Sequence, residues 1–312
     1  MKQTILVLGA GGYVGRRVVA ALAASDWAEP VAALRRAGAP GPVRQVMLDA
    51  TDGAALQQAL QQADAVVNCV AGAPDTMVNG ARALAQALAG LPSRRLVHFS
   101  SMAVYGDARG PVDEDHPLAS GLTGYGGAKA QAEQILAAHA DRVVLRPGCI
   151  YGPDSPQWST RIARLLRARR IGDLGAGGDG CSNLVYIDDV VAAVLAGLRG
   201  PATGAFNLAM DDAPDWNGYF LAYARALGAA PVRRIGARRL KIETHLLAPA
   251  LKIAEIGLRR VGLKVPPPIP PSLARLWRQD IRLLGARARE QLGLRWTPLQ
   301  AGLAATVAGS RP

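Results

Sequence analysis

The chain has 312 residues, half of them apolar and 19% charged, with 35 glycines, a composition that supports a large core and excludes a disordered chain. Its formal net charge is +12, and 16 of its 36 basic residues lie between Arg225 and Arg295 against only Glu243, Glu255, Asp280 and Glu290. The excess therefore sits in the C-terminal region and suits either a solvated basic surface or an anionic contact such as a nucleotide diphosphate, an acyl carrier or a phospholipid surface.

Residues 3–8 form a short apolar run ending in glycines, as in a buried parallel strand. A helical pattern follows over 12–24, then strands at Val31–Leu34 and Val43–Leu48, a helix over 52–62 and a strand at Ala65–Cys69. Helix 76–90, strand Leu96–Phe99, helix 121–140 and strand Val143–Leu145 complete the alternation. Strands separated by helices pair in parallel through right-handed crossovers. The expectation is an α/β protein: a Rossmann-type doubly wound parallel sheet over 1–153, with 182–210 returning to it. A smaller, mostly helical substrate lobe is expected from 154–181 and 211–312. In that lobe 159–170, 216–228, 240–264 and 272–292 read as helical, with Pro266–Pro271 as an extended spacer. Pro249 is expected to break or kink the third of these.

Gly9, Gly12 and Gly15 stand at the junction of the first strand and first helix, around Tyr13 and Val14. Glycines there permit a tight turn and let backbone amides approach a pyrophosphate at the helix N-terminus. After the second strand, where an NAD site commonly offers a carboxylate, stand Arg35 and Arg36. Two guanidinium groups suit a 2′-phosphate, so NADP(H) is favoured over NAD(H).

Tyr125 and Lys129 are four residues apart, on one face of the expected helix. The ammonium is expected to lower the phenol pKa and make Tyr125 a proton donor and acceptor near neutral pH. Gly126 and Gly127 make the front of this helix flexible or allow close packing against a cofactor or partner subunit.

With Asp49, the run Val66–Gly72, the run Phe99–Gly106, the run Leu145–Pro153 and the run Val185–Val190, these motifs resemble the extended short-chain dehydrogenase/reductase family. That family includes NAD-dependent epimerases, dehydratases and 3β-hydroxysteroid-type dehydrogenases. The resemblance implies that Ser101 hydrogen-bonds the substrate oxygen, with Ser100 as its structural neighbour. It implies that Tyr125 is the general acid/base and that Lys129 tunes it and holds the nicotinamide ribose. Asp49 and Ala50 would meet the adenine, Val70 and Ala71 would line the dinucleotide path, and Pro147 to Ile150 would lie against the nicotinamide. Met102-Ala103 replaces the acids that follow the catalytic Ser/Thr in the dehydratases, which argues against a 4,6-dehydratase. Asn68 stands where a His is common.

The expected activity is hydride transfer at a secondary alcohol or ketone, on a small, hydrophobic or lipid-like substrate. A nucleotide-sugar epimerase or reductase is the alternative, and a non-catalytic dinucleotide-binding subunit a third. The segment Leu240–Val265 is apolar with basic ends, which suits peripheral contact with an anionic membrane. The basic region lacks interleaved aromatics, so nucleic acid is not an expected partner. The scattered histidines do not form a metal site, and a homodimer is a family-level expectation. No stretch approaches the roughly 20 uncharged apolar residues of a membrane span. Cys69, Cys149 and Cys181 have no metal-ligand spacing and read as reduced thiols. With no signal-peptide layout before the first strand, a cytoplasmic protein is expected, peripheral to the membrane if the basic lobe docks there.

Overall fold

The computed structural model describes residues 2–39, 41–251 and 268–310. A seven-stranded sheet dominates it, built from β1 (Gln3–Leu8), β2 (Ala28–Leu34), β3 (Arg44–Met47), β4 (Ala65–Asn68), β5 (Arg95–Phe99), β7 (Arg142–Pro147) and β10 (Gly204–Leu208). The order is β10-β7-β5-β4-β1-β2-β3, and every neighbouring pair is parallel. The order reverses between β1 and β4, which opens a crevice at the carboxyl ends of the strands.

Alternation along β1 makes the sheet two-sided. Ile5 and Val7 point into a core with Val18 and Leu22 of α1 (Tyr13–Ala23) and Val190 and Val194 of α6 (Ile187–Arg199). Leu6 and Leu8 point the other way, toward Leu56 and Leu60 of α2 (Gly53–Gln61), Leu84 and Leu88 of α3 (Pro74–Ala89), and Leu136 of α4 (Gly124–Leu136). Successive strand residues face opposite sides, so this apolar run fills both layers.

A third core combines C-terminal residues with Tyr105, Val112 and Tyr151. Trp216, Tyr219, Phe220 and Tyr223 of α7 (Trp216–Ala226) are fully buried with Trp277, and Phe220 meets Trp277 edge-on at 5.3 Å between ring centroids. Two small parallel pairs lie outside the main sheet: β6 (Gly110–Val112) with β11 (Ile281–Leu283), and β8 (Cys149–Tyr151) with β9 (Leu184–Tyr186). The expected helix over 272–292 is thereby corrected. It is α9 (Pro271–Leu276), then β11, then α10 (Ala286–Gln291), because Ile281–Leu283 pairs with a strand some 170 residues earlier in the chain. A last helix, α11 (Leu299–Gly309), adds to the expected elements.

The basic helix expected over 159–170 is a wide turn, Pro156–Thr160, followed by α5 (Arg161–Arg167). The segment from residue 240 begins in α8 (Ala237–Ile242) and widens to a π turn over Glu243–Leu247, where Ala248 N–H reaches back to Glu243 O. The helical path thus continues past Pro249 to residue 251 without a break. Residues 252–264 of the expected helix lie outside the described residues.

One buried polar network ties these layers together. Arg146, at the end of β7, donates from Nε and Nη2 to Glu133 of α4, the latter at 2.7 Å, and from Nη1 to Tyr105 Oη at 2.9 Å and Glu114 O at 3.1 Å. Tyr105 donates to Asn207 of β10 at 2.8 Å, and Asn207 N–H donates to Glu114 at 2.7 Å. Both Arg146 and Glu133 are buried. Removing one partner would leave an uncompensated buried charge. Arg146→Leu is expected to lower unfolding free energy by about 3–5 kcal/mol, measured by chemical denaturation, with Glu133→Gln less harmful than Arg146→Leu.

Candidate active site

The first turn of α4 lies against the short 3-10 turn Met102–Tyr105 that follows β5. A Cβ on Gly126 would lie 2.7 Å from the Ala103 carbonyl oxygen, and one on Gly127 would collide with the Leu122 carbonyl. The glycine pair therefore serves backbone-to-backbone packing within the chain, which replaces the expectation of a flexible helix front.

That packing brings Ser101 to Tyr125. Ser101 is extended (φ −167°, ψ 154°) and caps the 3-10 turn, its hydroxyl accepting the Ala103 N–H at 3.2 Å. The same hydroxyl lies near enough to the Tyr125 phenol to favour its ionised form. Although the Tyr125 side chain as a whole is 46% exposed, desolvation at its phenol end raises the pKa, with the Ser101 hydroxyl opposing it. The expected lowering by Lys129 is corrected here. The ammonium is turned away into the sheet, where Nζ donates to Phe99 O at 2.6 Å and Val70 O at 3.0 Å. Lys129 is only 2% exposed, and burial pulls its pKa down to about 8, against the opposing influence of Cys69 and Glu133.

Two residues beneath Lys129 form a pair that the sequence does not announce. Asn68 accepts the Val70 N–H at 3.1 Å and donates from Nδ2 to His98 Nδ1 at 3.2 Å. Burial, and then the nearby Lys129 charge, push the His98 pKa down to about 3, so the ring is neutral. The pair orients the strand end whose carbonyl holds Lys129. Asn68 and His98 lie on neighbouring strands in register, 30 residues apart in sequence, so only the sheet reveals their partnership.

Ser101 and Tyr125 open onto a cleft of about 1450 Å³. Tyr13, Ala71, Pro147 and Ile150 line it too, along with Trp158, Leu276 and Arg275, which the sequence does not single out. Gly9, Gly12 and Gly15 form the turn into α1, with Gly12 N–H donating to Gly9 O at 3.0 Å. Gly9 has φ +73°, and a Cβ there would lie 2.9 Å from the Cys69 backbone. A Cβ on Gly15 would strike the Gly9 carbonyl. Gly12 and Gly11 are exposed and no side chain caps α1. The cradle thus offers free helix amides to an anion, as a dinucleotide pyrophosphate requires. Val14 lies half-buried behind it.

Arg35, Arg36, Asp49 and Ala50 lie beyond that cleft, following β2 and β3. Both arginines are exposed. Asp49 Oδ1 accepts from Thr51 N–H at 2.9 Å and Oγ1 at 2.8 Å, bonds that lower its pKa with help from Arg35. Ala50 borders a small internal cavity with Asn68, His98 and Lys129.

Comparison with known proteins places this geometry. Residues 5–209 match the NAD dependent epimerase/dehydratase family. The chain is 32% identical over 261 residues to a 3-diazoavenalumate denitrifying reductase of a Streptomyces species, covering 75% of this chain and 84% of that protein. It is 26% identical over 234 residues to the N-acetyl-alpha-D-glucosaminyl-diphospho-ditrans,octacis-undecaprenol 4-epimerase of Escherichia coli O157:H7, covering 70% of each. The fold matches UDP-glucuronic acid 4-epimerase from Bacillus cereus, solved with UDP-glucuronic acid and NAD, at a TM-score of 0.73, 18% identity and 98% coverage of both chains. The chain belongs to the NAD-dependent epimerase/dehydratase family. It is an enzyme of that family's oxidoreductase and epimerase class. No described helix is long and apolar enough to cross a membrane.

Lys129 titrates from about 8 in the folded protein, so its charge is present below that pH and lost above it. Affinity for a pyridine dinucleotide, followed by fluorescence titration, is expected to fall as pH rises through 8. Lys129→Met should weaken binding and flatten that dependence.

Proposed function

We propose that the protein is an NAD(P)-dependent oxidoreductase that transfers a hydride at a secondary alcohol or ketone of a largely apolar substrate. The observation that carries this reading is that Ser101 and Tyr125 line one cleft, with the Lys129 ammonium anchored on the Phe99 and Val70 carbonyls nearby. Nicotinamide supplies or accepts the hydride when bound. Ser101 holds the substrate oxygen, and Tyr125 gives it a proton as negative charge grows there. The raised pKa of Tyr125 keeps the phenol protonated at neutral pH, as carbonyl reduction needs. Lys129 would hold the nicotinamide ribose through the N–H that the Phe99 and Val70 carbonyls leave unused, and the glycine turn would hold the pyrophosphate. Ala71, Pro147 and Ile150 line the path between them, and Asp49 meets the adenine.

Arg35 and Arg36 supply the preference for NADP(H), through a 2′-phosphate. Met102, Leu122, Trp158 and Leu276 give the cleft apolar walls, and the denitrifying reductase relative from Streptomyces supports net reduction over epimerisation. The relative from Escherichia coli supports the second reading, an epimerase that keeps its cofactor between half-reactions. Residues 1–153 with 182–210 form the dinucleotide-binding unit, and the remainder selects the substrate.

Tyr125→Phe is expected to lower turnover by roughly 10²–10⁴-fold while cofactor still binds; unchanged turnover would overturn the assignment. Replacing Arg35 and Arg36 together by Ala should weaken NADPH by about 10–100-fold and leave NADH nearly unaffected. Nicotinamide retained through purification would favour the epimerase.

A further inference from the structure

The outer side of the C-terminal lobe carries a feature that hydride transfer does not use. Six large hydrophobic side chains are exposed among the described residues, and three of them, Ile242, Leu246 and Leu247 (45%, 69% and 41%), fall within six positions. They stand on the helical segment that runs from α8 into the wide turn. Its inner side buries Leu240, Thr244 and Ala248. Glu243, the one acid between Asp215 and Glu255, is also turned inward and accepts Arg170 Nε at 3.0 Å. The outward side therefore sets apolar residues beside exposed Arg238 and Lys241 of the same segment, while its one acid, Glu243, is buried on the other side.

We propose that this face docks on a membrane surface rich in anionic phospholipid. Ile242, Leu246 and Leu247 enter the boundary between headgroups and acyl chains, and Arg238 and Lys241 meet the phosphates. Charge decides between occupants. A second copy would bring the same basic face against itself, whereas an anionic leaflet is complementary and supplies apolar depth beside its charge. The wide turn packs against α9, whose Ser272, Arg275 and Leu276 line the cleft. Docking would thus set the lobe wall of the cleft next to the bilayer. The proposal is independent of the reaction assigned above.

The test is co-sedimentation of the full chain with phosphatidylcholine vesicles and with vesicles of roughly three parts phosphatidylcholine to one part phosphatidylglycerol. At least about tenfold tighter binding to the anionic vesicles is expected, weakening with added salt. Leu246→Asp, at an exposed position the fold does not need, should reduce binding about tenfold. Arg238→Glu with Lys241→Glu should abolish the anionic preference. Unchanged melting curves for these variants would show that they fold. Absence of binding to anionic vesicles, or equal binding by Leu246→Asp, overturns the proposal. So does a dimer in solution that Leu246→Asp dissociates, which would assign the face to a second copy.

Discussion

The buried Arg146 guanidinium is the point from which the rest of the site is hung. It grips Glu133, one turn beyond Lys129 on α4, and Tyr105, at the end of the turn that Ser101 caps. Through Tyr105 and Asn207 it reaches β10, and through Glu114 it reaches α10, where Arg287 stands 3.5 Å from the carboxylate. A charge so deeply buried tolerates only well-made partners. The helix bearing Tyr125, the turn bearing Ser101 and the lobe over the cleft are therefore held by one set of hydrogen bonds.

The sheet explains why those groups converge. Gly9, Val70, Ser101 and Gly148 each follow the carboxyl end of a strand, and parallel pairing aligns those ends along one edge. Lys129 closes the arrangement from beneath by bonding two of the strand ends, Phe99 and Val70. Its desolvated ammonium carries an electrostatic cost that the two carbonyls offset only partly, which is why its proton is held loosely. The same desolvation acts on Tyr125 with the opposite outcome, because its charged form is the deprotonated one, and the phenol keeps its proton.

Features written locally in the chain are legible in the sequence alone. The apolar run 3–8 shows a buried strand, Gly9, Gly12 and Gly15 show the turn, and the interval from Tyr125 to Lys129 shows one helical face. What escapes such a reading depends on distant partners. Ile281–Leu283 is a strand only because Gly110–Val112 lies beside it. Asn68 and His98 become a pair only when β4 and β5 align. Arg146 and Glu133 look like ordinary surface charges until both are buried. The direction of the Tyr125 pKa shift is hidden for the same reason: spacing puts Lys129 on the right face, but the direction of its ammonium is set by the carbonyls of Phe99 and Val70, which lie far from it in sequence.

The glycine pair at the front of α4 has a consequence for how the site keeps its dimensions. The separation between the Ser101 and Tyr125 hydroxyls is gauged by main chain resting on main chain, Gly126 against Ala103. Peptide groups have no rotamers, so this spacer does not breathe as a side-chain contact would. Tyr125 and Ser101 are held at a fixed gauge before any ligand arrives, and the cost of ordering them is met during folding rather than on binding.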